Sequence, residues 1–269
     1  MDTIRIEGIN FIRFKSLPTE KLFAFSTTVQ GGVSTATYSS LNLSPYSGDD
    51  PDCVDKNQEY VANLAGISVD NLYIPYQIHK DKIAVIEEGF LQKTDLEKAD
   101  ILHGVDAVIT NQKDICIGVT TADCVPVLIY DPQKHILATI HAGWKGTVAK
   151  IAQKTILTME KHFGCDPQTL LAGIGPCISQ KHFEVGDEVV EAFREAGFDI
   201  DKIAYKNKES GKMHINLQDA NKIILTNSGL LPGNIETAGL CTYSNPGMFF
   251  SARRQTIHSG RMFTGGVLR

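Results

Sequence analysis

The sequence has no excess of positive charge: 26 Lys and Arg stand against 31 Asp and Glu, for a formal net charge of −5. Its basic residues are scattered except at Arg253-Arg254 and Arg261. Without an electropositive footprint, nonspecific polyanion binding has no driving force, and nucleic acid is not expected as a partner. A long apolar run is also missing. The stretch MDTIRIEGINFIRF alternates charged with apolar residues, whereas a signal peptide or a membrane span needs continuous apolar sequence. A cytoplasmic chain without a membrane partner is therefore expected. No low-complexity tract, regular repeat or compositional shift marks a linker, so the 269 residues are expected to form a single domain, 1–269, able to bury a substantial core. The six cysteines (Cys53, Cys116, Cys124, Cys165, Cys177, Cys241) are dispersed, which fits reduced thiols better than a disulfide framework. Neither the G-x-x-x-x-G-K-[ST] phosphate loop nor the G-x-G-x-x-G dinucleotide fingerprint occurs.

What the chain does have is a mixture of strand and helix patterns. Short β-branched runs at 105–109, 115–119, 125–130 and 136–140 are separated by NQKD and DPQK turns, which predicts a hairpin-rich sheet. Beyond them, Val148, Ile151, Ala152, Ile156 and Met159 recur at helical spacing, predicting one helix from Thr147 to Phe163. Further helices are predicted at 54–65, 187–196 with Asp187 as N-cap, and 217–227, with Gly197 and Gly229 as stops. Strands should return at 170–174, 235–240, 249–251 and 262–268.

Three soft-ligand residues end or adjoin these apolar runs: His79 in YQIHKD, Cys124 in TTADCVPV and His141 in ATIHAGWKG. Two imidazoles and a thiolate are a donor set that zinc or copper prefers, and three protein donors leave one coordination position open for chemistry. The spacing matches no compact zinc pattern, so ordinary core or loop positions are the plainer account of the same residues. In HAGWKGT a strand ends and a glycine-containing turn opens a helix, so backbone N–H groups near Gly143 could face an anion, with Lys145 adding charge. A tight turn with Trp144 in the core is the plainer alternative. The C-terminal segment FFSARRQ, followed by HSGRM, places Ser251, Arg254 and Arg261 where guanidinium groups could orient phosphate or carboxylate; a solvated basic loop with structural ion pairs is equally consistent.

Taken together, QIHKD, GVDAVIT, TTADCVPV, HAGWKGT, GIGPCIS with HFEVGDEV, LCTYSNPGMFFSARR and SGRM resemble the laccase-domain or polyphenol-oxidase family, also described as the peptidoglycan-editing-factor family. The resemblance runs from about Phe25 almost to the C-terminus. It implies an α/β (α+β) fold, a four-layer α/β/β/α sandwich with mixed sheets similar to cytotoxic-necrotizing-factor hydrolases. It also implies that His79, Cys124 and His141 bind zinc, with copper as an alternative. The implied substrates are a purine nucleoside and phosphate: phosphorolysis of adenosine, inosine, guanosine and 5′-methylthioadenosine, and hydrolytic deamination of adenosine. For deamination, a metal held by the three donors would activate water for attack on C6. For phosphorolysis, Arg254 or Arg261 would position phosphate beside C1′. Asp123, next to Cys124, could protonate a purine nitrogen, although a role orienting a ligand is favoured.

Other readings use the same residues. Copper-dependent phenol oxidation would need several copper centres, and none of the eight histidines forms an H-x-H pair. A cysteine-type amide hydrolase editing peptidoglycan precursors would use Cys124 as nucleophile and His141 or His79 as base. A metal-stabilised binding domain is disfavoured, because structural zinc is usually closed by four protein ligands. The chain also departs from the family: Val29 and Gln58 occupy positions where members commonly carry basic residues, which implies weaker phosphate affinity or a supply of charge from Lys56, Lys145 or the C-terminal arginines.

Overall fold

The computed structural model describes residues 2–6 and 8–269. Two six-stranded mixed sheets carry the architecture. The first runs in the order Asp2–Ile6, Ile9–Arg13, Leu22–Thr27, Met262–Leu268, Cys116–Thr121, Leu72–Tyr73. The second runs Ile235–Thr237, Leu171–Ile174, Val125–Asp131, Ile136–Ala142, Ala107–Thr110, Ile83–Ile86. A small antiparallel sheet of Glu184–Val185, Met213–Ile215 and Ala204–Lys206 flanks them.

The period of two along a strand sorts side chains between separate cores. In Val125–Asp131, Val125, Val127 and Ile129 face the helices Ile151–Phe163, Asp187–Glu195 and Leu217–Asn227. Leu128 and Tyr130 point the other way and pack with Leu22, Ile117 and Leu137 between the sheets. The outer face of the first sheet, with Phe11, Phe25, Phe263 and Val267, is covered by Val61, Ala62 and Ala65 of the helix Pro51–Ala65. The layers are thus helix, sheet, sheet, helix, as the resemblance implied. Because both faces of the central strands are buried, a one-residue slip would exchange the two sets of side chains, and this fixes the register. Among the described residues no helix is long and apolar enough to cross a membrane.

Several sequence expectations are corrected. Cys116–Thr121 joins the first sheet, while its neighbours Ala107–Thr110 and Val125–Asp131 lie in the second. The hairpin reading therefore holds only for Val125–Asp131 with Ile136–Ala142. Every residue of these strands is buried, so the pattern carries no mark of which sheet each one enters. The expected helix from Thr147 to Phe163 is two, Trp144–Val148 and Ile151–Phe163, separated by Lys150 at φ +56°. A single left-handed step leaves the apolar spacing almost unchanged. Gly186, not Asp187, occupies the cap of Asp187–Glu195. Residues 249–251 form no strand: Phe249 and Phe250 pack in a local cluster with Ile12 and Met262.

Candidate functional site

The chain crosses from the first sheet to the second twice near one end of the sandwich. One crossing, residues 74–82, follows Leu72–Tyr73 and leads to Ile83–Ile86; the other, residues 122–124, joins Cys116–Thr121 to Val125–Asp131. His79 lies on the first crossing and Cys124 on the second. His141 is the penultimate residue of Ile136–Ala142, paired with Pro126, and by alternation from Leu137 it faces the space between the sheets. One potential ligand atom from each of the three lies within 4.8 Å of the others. The two imidazole rings meet edge to face, with centroids 4.6 Å apart. Both crossings take a left-handed step: His79 has φ +60° and Asp123 φ +85°.

Asp106 organises this cluster, and the sequence reading did not single it out. It is fully buried, and its Oδ1 accepts from His141 Nδ1 at 2.7 Å and His79 N at 3.0 Å. Its Oδ2 accepts from Lys80 N at 2.8 Å and Ile78 N at 3.3 Å. The signal was present as an acid inside the apolar run GVDAVIT, since a buried carboxylate must find donors. With Nδ1 engaged by Asp106, His141 turns Nε2 toward Cys124 and His79. Gly143 leaves space for the trio: a Cβ there would stand 3.0 Å from Cys124 Sγ and 3.2 Å from His79 Cδ2.

The electrostatics favour a thiolate at Cys124. Burial raises the Cys124 thiol, but the charge and hydrogen bond of His141, with help from His79, outweigh it and lower the pKa to about 6. Burial depresses the His141 imidazolium, yet Cys124 and Asp106 together raise it to about 9. Asp106 is likewise pushed up by burial and held below the carboxylate range by His141 and the turn amides. Without metal, Cys124 is therefore a thiolate paired with an imidazolium. Iodoacetamide labelling of Cys124 in metal-stripped protein should be nearly flat from about pH 7 to about pH 8 and should decline below about pH 6, where the thiolate is protonated. Peptide mapping of the label reads this; a rate still rising steeply through about pH 9 would contradict the pairing.

The trio opens on a cavity of 480 Å³, also lined by Tyr46, Tyr76, Gln77, Phe183, Arg253 and Arg261. This is within the ~300–1,000 Å³ usual for small-molecule sites. Gln77 pins the first crossing to the strand Cys116–Thr121, donating to Thr120 O at 2.9 Å and accepting from Thr120 N at 2.8 Å. Thr121 Oγ1, on the cavity wall, is buried without a hydrogen-bond partner among the described residues.

The other sequence candidates are placed unevenly. Arg261 reaches the cavity wall, and its guanidinium donates to Ser259 Oγ at 2.7 Å and to Gly260 O and Ile257 O, both at 3.0 Å. Arg254 does not reach it: its guanidinium donates to the carbonyls of Thr242 at 3.0 Å, Tyr243 at 2.6 Å and Phe249 at 2.6 Å. The cavity-lining arginine of the doublet is Arg253, bonded to His182 O and Glu184 O and seated 5.5 Å from the Phe183 ring. Ser251 is fully buried and donates to Asp123 at 2.9 Å. Asp123 also accepts from Thr242 Oγ1 at 2.6 Å and Arg253 N at 2.7 Å, so its carboxylate ties the C-terminal loops beneath the cavity. Lys145 is exposed, 5.5 Å over the Trp144 ring and away from the cavity wall. Gly143 caps a helix of only five residues, too short to make an anion cradle. Val29 bonds through its backbone to Met248, and Gln58 donates to Leu43 O at 3.1 Å; neither lines the cavity.

Comparison with known proteins places this geometry among relatives. The family described as multi-copper polyphenol oxidoreductase laccase matches residues 23–269. A purine nucleoside phosphorylase from Bacteroides thetaiotaomicron is 44% identical over 241 residues, covering 90% of this chain and 89% of the relative. Adenosine deaminase RL5, from an unknown prokaryotic organism, is 41% identical over 262 residues, covering 97% and 98% of the two chains. The crystal structure of YlmD from Geobacillus stearothermophilus superposes with a TM-score of 0.90 at 25% identity, covering 99% of this chain and 98% of that one.

Proposed function

The chain belongs to the family of multi-copper polyphenol oxidoreductase laccases, and from that premise we propose that it is a zinc-dependent enzyme of purine nucleosides, catalysing their phosphorolysis, hydrolytic deamination of adenosine, or both. The family description itself suits the donors poorly. Among the described residues only one group of three His, Cys or carboxylate donors comes together, and multicopper oxidation needs several centres. Relatives named purine nucleoside phosphorylase and adenosine deaminase, aligned over nearly the whole chain, support the nucleoside reading.

The observation that carries it is the Asp106-braced trio of His79, Cys124 and His141 opening on a cavity of 480 Å³. Two imidazoles and a thiolate suit zinc, with copper as the alternative. Bound there, zinc would supply Lewis acidity and make water a competent nucleophile near neutral pH. The protein's own groups do the rest. Asp106 fixes the His141 tautomer and holds the turn bearing His79. Arg253 and Arg261 put positive charge on the cavity wall, where phosphate or a developing negative charge would be held. Asp123 keeps Arg253 in place through its backbone N–H.

The test is an assay of purified protein of known metal content on adenosine, with and without phosphate, separating inosine, adenine and ribose 1-phosphate. Adenine formed only with phosphate marks phosphorolysis; inosine formed without it marks deamination. A second reading, a thiol hydrolase acting on amides, is favoured by one observation, the lowered pKa of Cys124 beside His141. Chelation separates the two: turnover is expected to disappear when the metal is stripped and to return with zinc. Undiminished turnover in stripped protein would transfer the assignment to the thiol.

A further inference from the structure

Tyr46 and Tyr76 line the cavity yet remain open to solvent, with relative exposures of 52% and 38%. Their rings meet edge to face, 4.8 Å between centroids and 88° between planes. Such a contact uses the edge of one ring and one face of the other, leaving aromatic surface for a further partner. Tyr76 is also steadied by His103, whose ring stacks on it at 4.9 Å and 15° and does not line the cavity. Its backbone is fixed at both ends, accepting from Gly104 N at 2.9 Å and donating to Leu102 O at 3.1 Å.

Tyr46 is held as firmly from its own side. Asn42 donates to Ser47 Oγ at 2.8 Å and to Asp49 at 3.0 Å, while its Oδ1 accepts from Arg261 N at 2.9 Å. Gln58 anchors the same loop through Leu43 O. The loop that presents Tyr46 is therefore bonded directly to the backbone of the cavity arginine Arg261. Rings held on braced loops lose little freedom when a flat ligand binds, and tyrosine, with two side-chain torsions, offers broad contact area at low entropic cost.

We propose that Tyr46 and Tyr76 form the base-binding wall of the cavity, holding the purine ring of the substrate by aromatic contact. This rests on the nucleoside reading above and extends it. A wall of this kind reads the π-face of a base rather than its hydrogen-bonding edge, so it accepts adenine, hypoxanthine and guanine alike.

Tyr46→Leu and Tyr76→Leu are each expected to raise KM for inosine in phosphorolysis, or for adenosine in deamination, by roughly 5- to 20-fold, with kcat and metal content little changed. Tyr46→Phe and Tyr76→Phe, which keep the ring, should stay within about twofold of the parent, because stacking does not need the hydroxyl. Equilibrium dialysis with free hypoxanthine gives a readout independent of turnover, and binding should weaken in the leucine variants alone. Unchanged KM and unchanged hypoxanthine binding in both leucine variants of an active enzyme would overturn the wall and leave the nucleoside reading standing. Equal losses in the phenylalanine variants would also overturn it. A protein that turns over no purine nucleoside, yet binds hypoxanthine through these rings, would reject the nucleoside reading and keep the wall. Absence of both turnover and binding would reject both.

Discussion

Cys124→Ala is expected to remove bound metal and nucleoside turnover together. The thiolate is one of only three donors in the cluster, and the remaining pair, His79 and His141, is a poor substitute for a site that must hold its ion while leaving a position open. Loss of an outer hydrogen-bond partner of a ligand costs roughly 10- to 100-fold in metal affinity or activity, and a direct donor should cost more, so turnover should drop by at least ~100-fold. The substitution should fold, since Gly143 already leaves room beside the sulfur and alanine only enlarges it. Metal analysis by atomic emission, run beside the nucleoside assay, checks the result. Full activity in a metal-free Cys124→Ala protein would rule out the mechanism proposed here.

Asp106→Asn should be nearly as damaging by another route. The carboxylate accepts four hydrogen bonds, from three successive turn amides and from His141, and is fully buried. An amide in its place must turn an NH₂ toward at least one of those donors. It also removes the negative charge that helps raise the His141 pKa. Two effects follow. Zinc affinity should fall by about 10- to 100-fold as His141 loses its fixed tautomer and the His79 turn loosens. Stability of the metal-free protein should fall by roughly 3–5 kcal/mol, the usual cost of breaking one side of a buried charged pair. Competitive zinc titration and urea unfolding measure these separately. Unchanged zinc affinity would show that Asp106 serves the turn alone.

The donor trio was legible because imidazoles and a thiol stood at the ends of apolar runs, where strands deliver side chains to one place. Asp106 went unread because it lies inside such a run, where an acid looks like an interruption until its partners are known. The arginine doublet shows a different limit: Arg253 and Arg254 are neighbours with identical chemistry. The short helix Ala252–Gln255 turns one to the cavity and the other into a cage of carbonyls. No pattern at the level of residue types separates them. The first three strands, Asp2–Ile6, Ile9–Arg13 and Leu22–Thr27, were likewise not anticipated, although Thr3-Ile4-Arg5-Ile6 alternates as a strand should. The layered class came with the family resemblance, whereas the residues left the allocation of strands between sheets open, because continuous burial erases the alternation that would distinguish their faces.

The two passages of chain from the first sheet to the second give the site a mechanical meaning. His79 and Cys124 belong to those passages, and His141 comes from the second sheet. An ion gripped by all three would rivet the halves of the sandwich at the end where they are otherwise joined by turns. Such a rivet forms only when the halves are seated, so its binding free energy adds directly to the cohesion of the folded state.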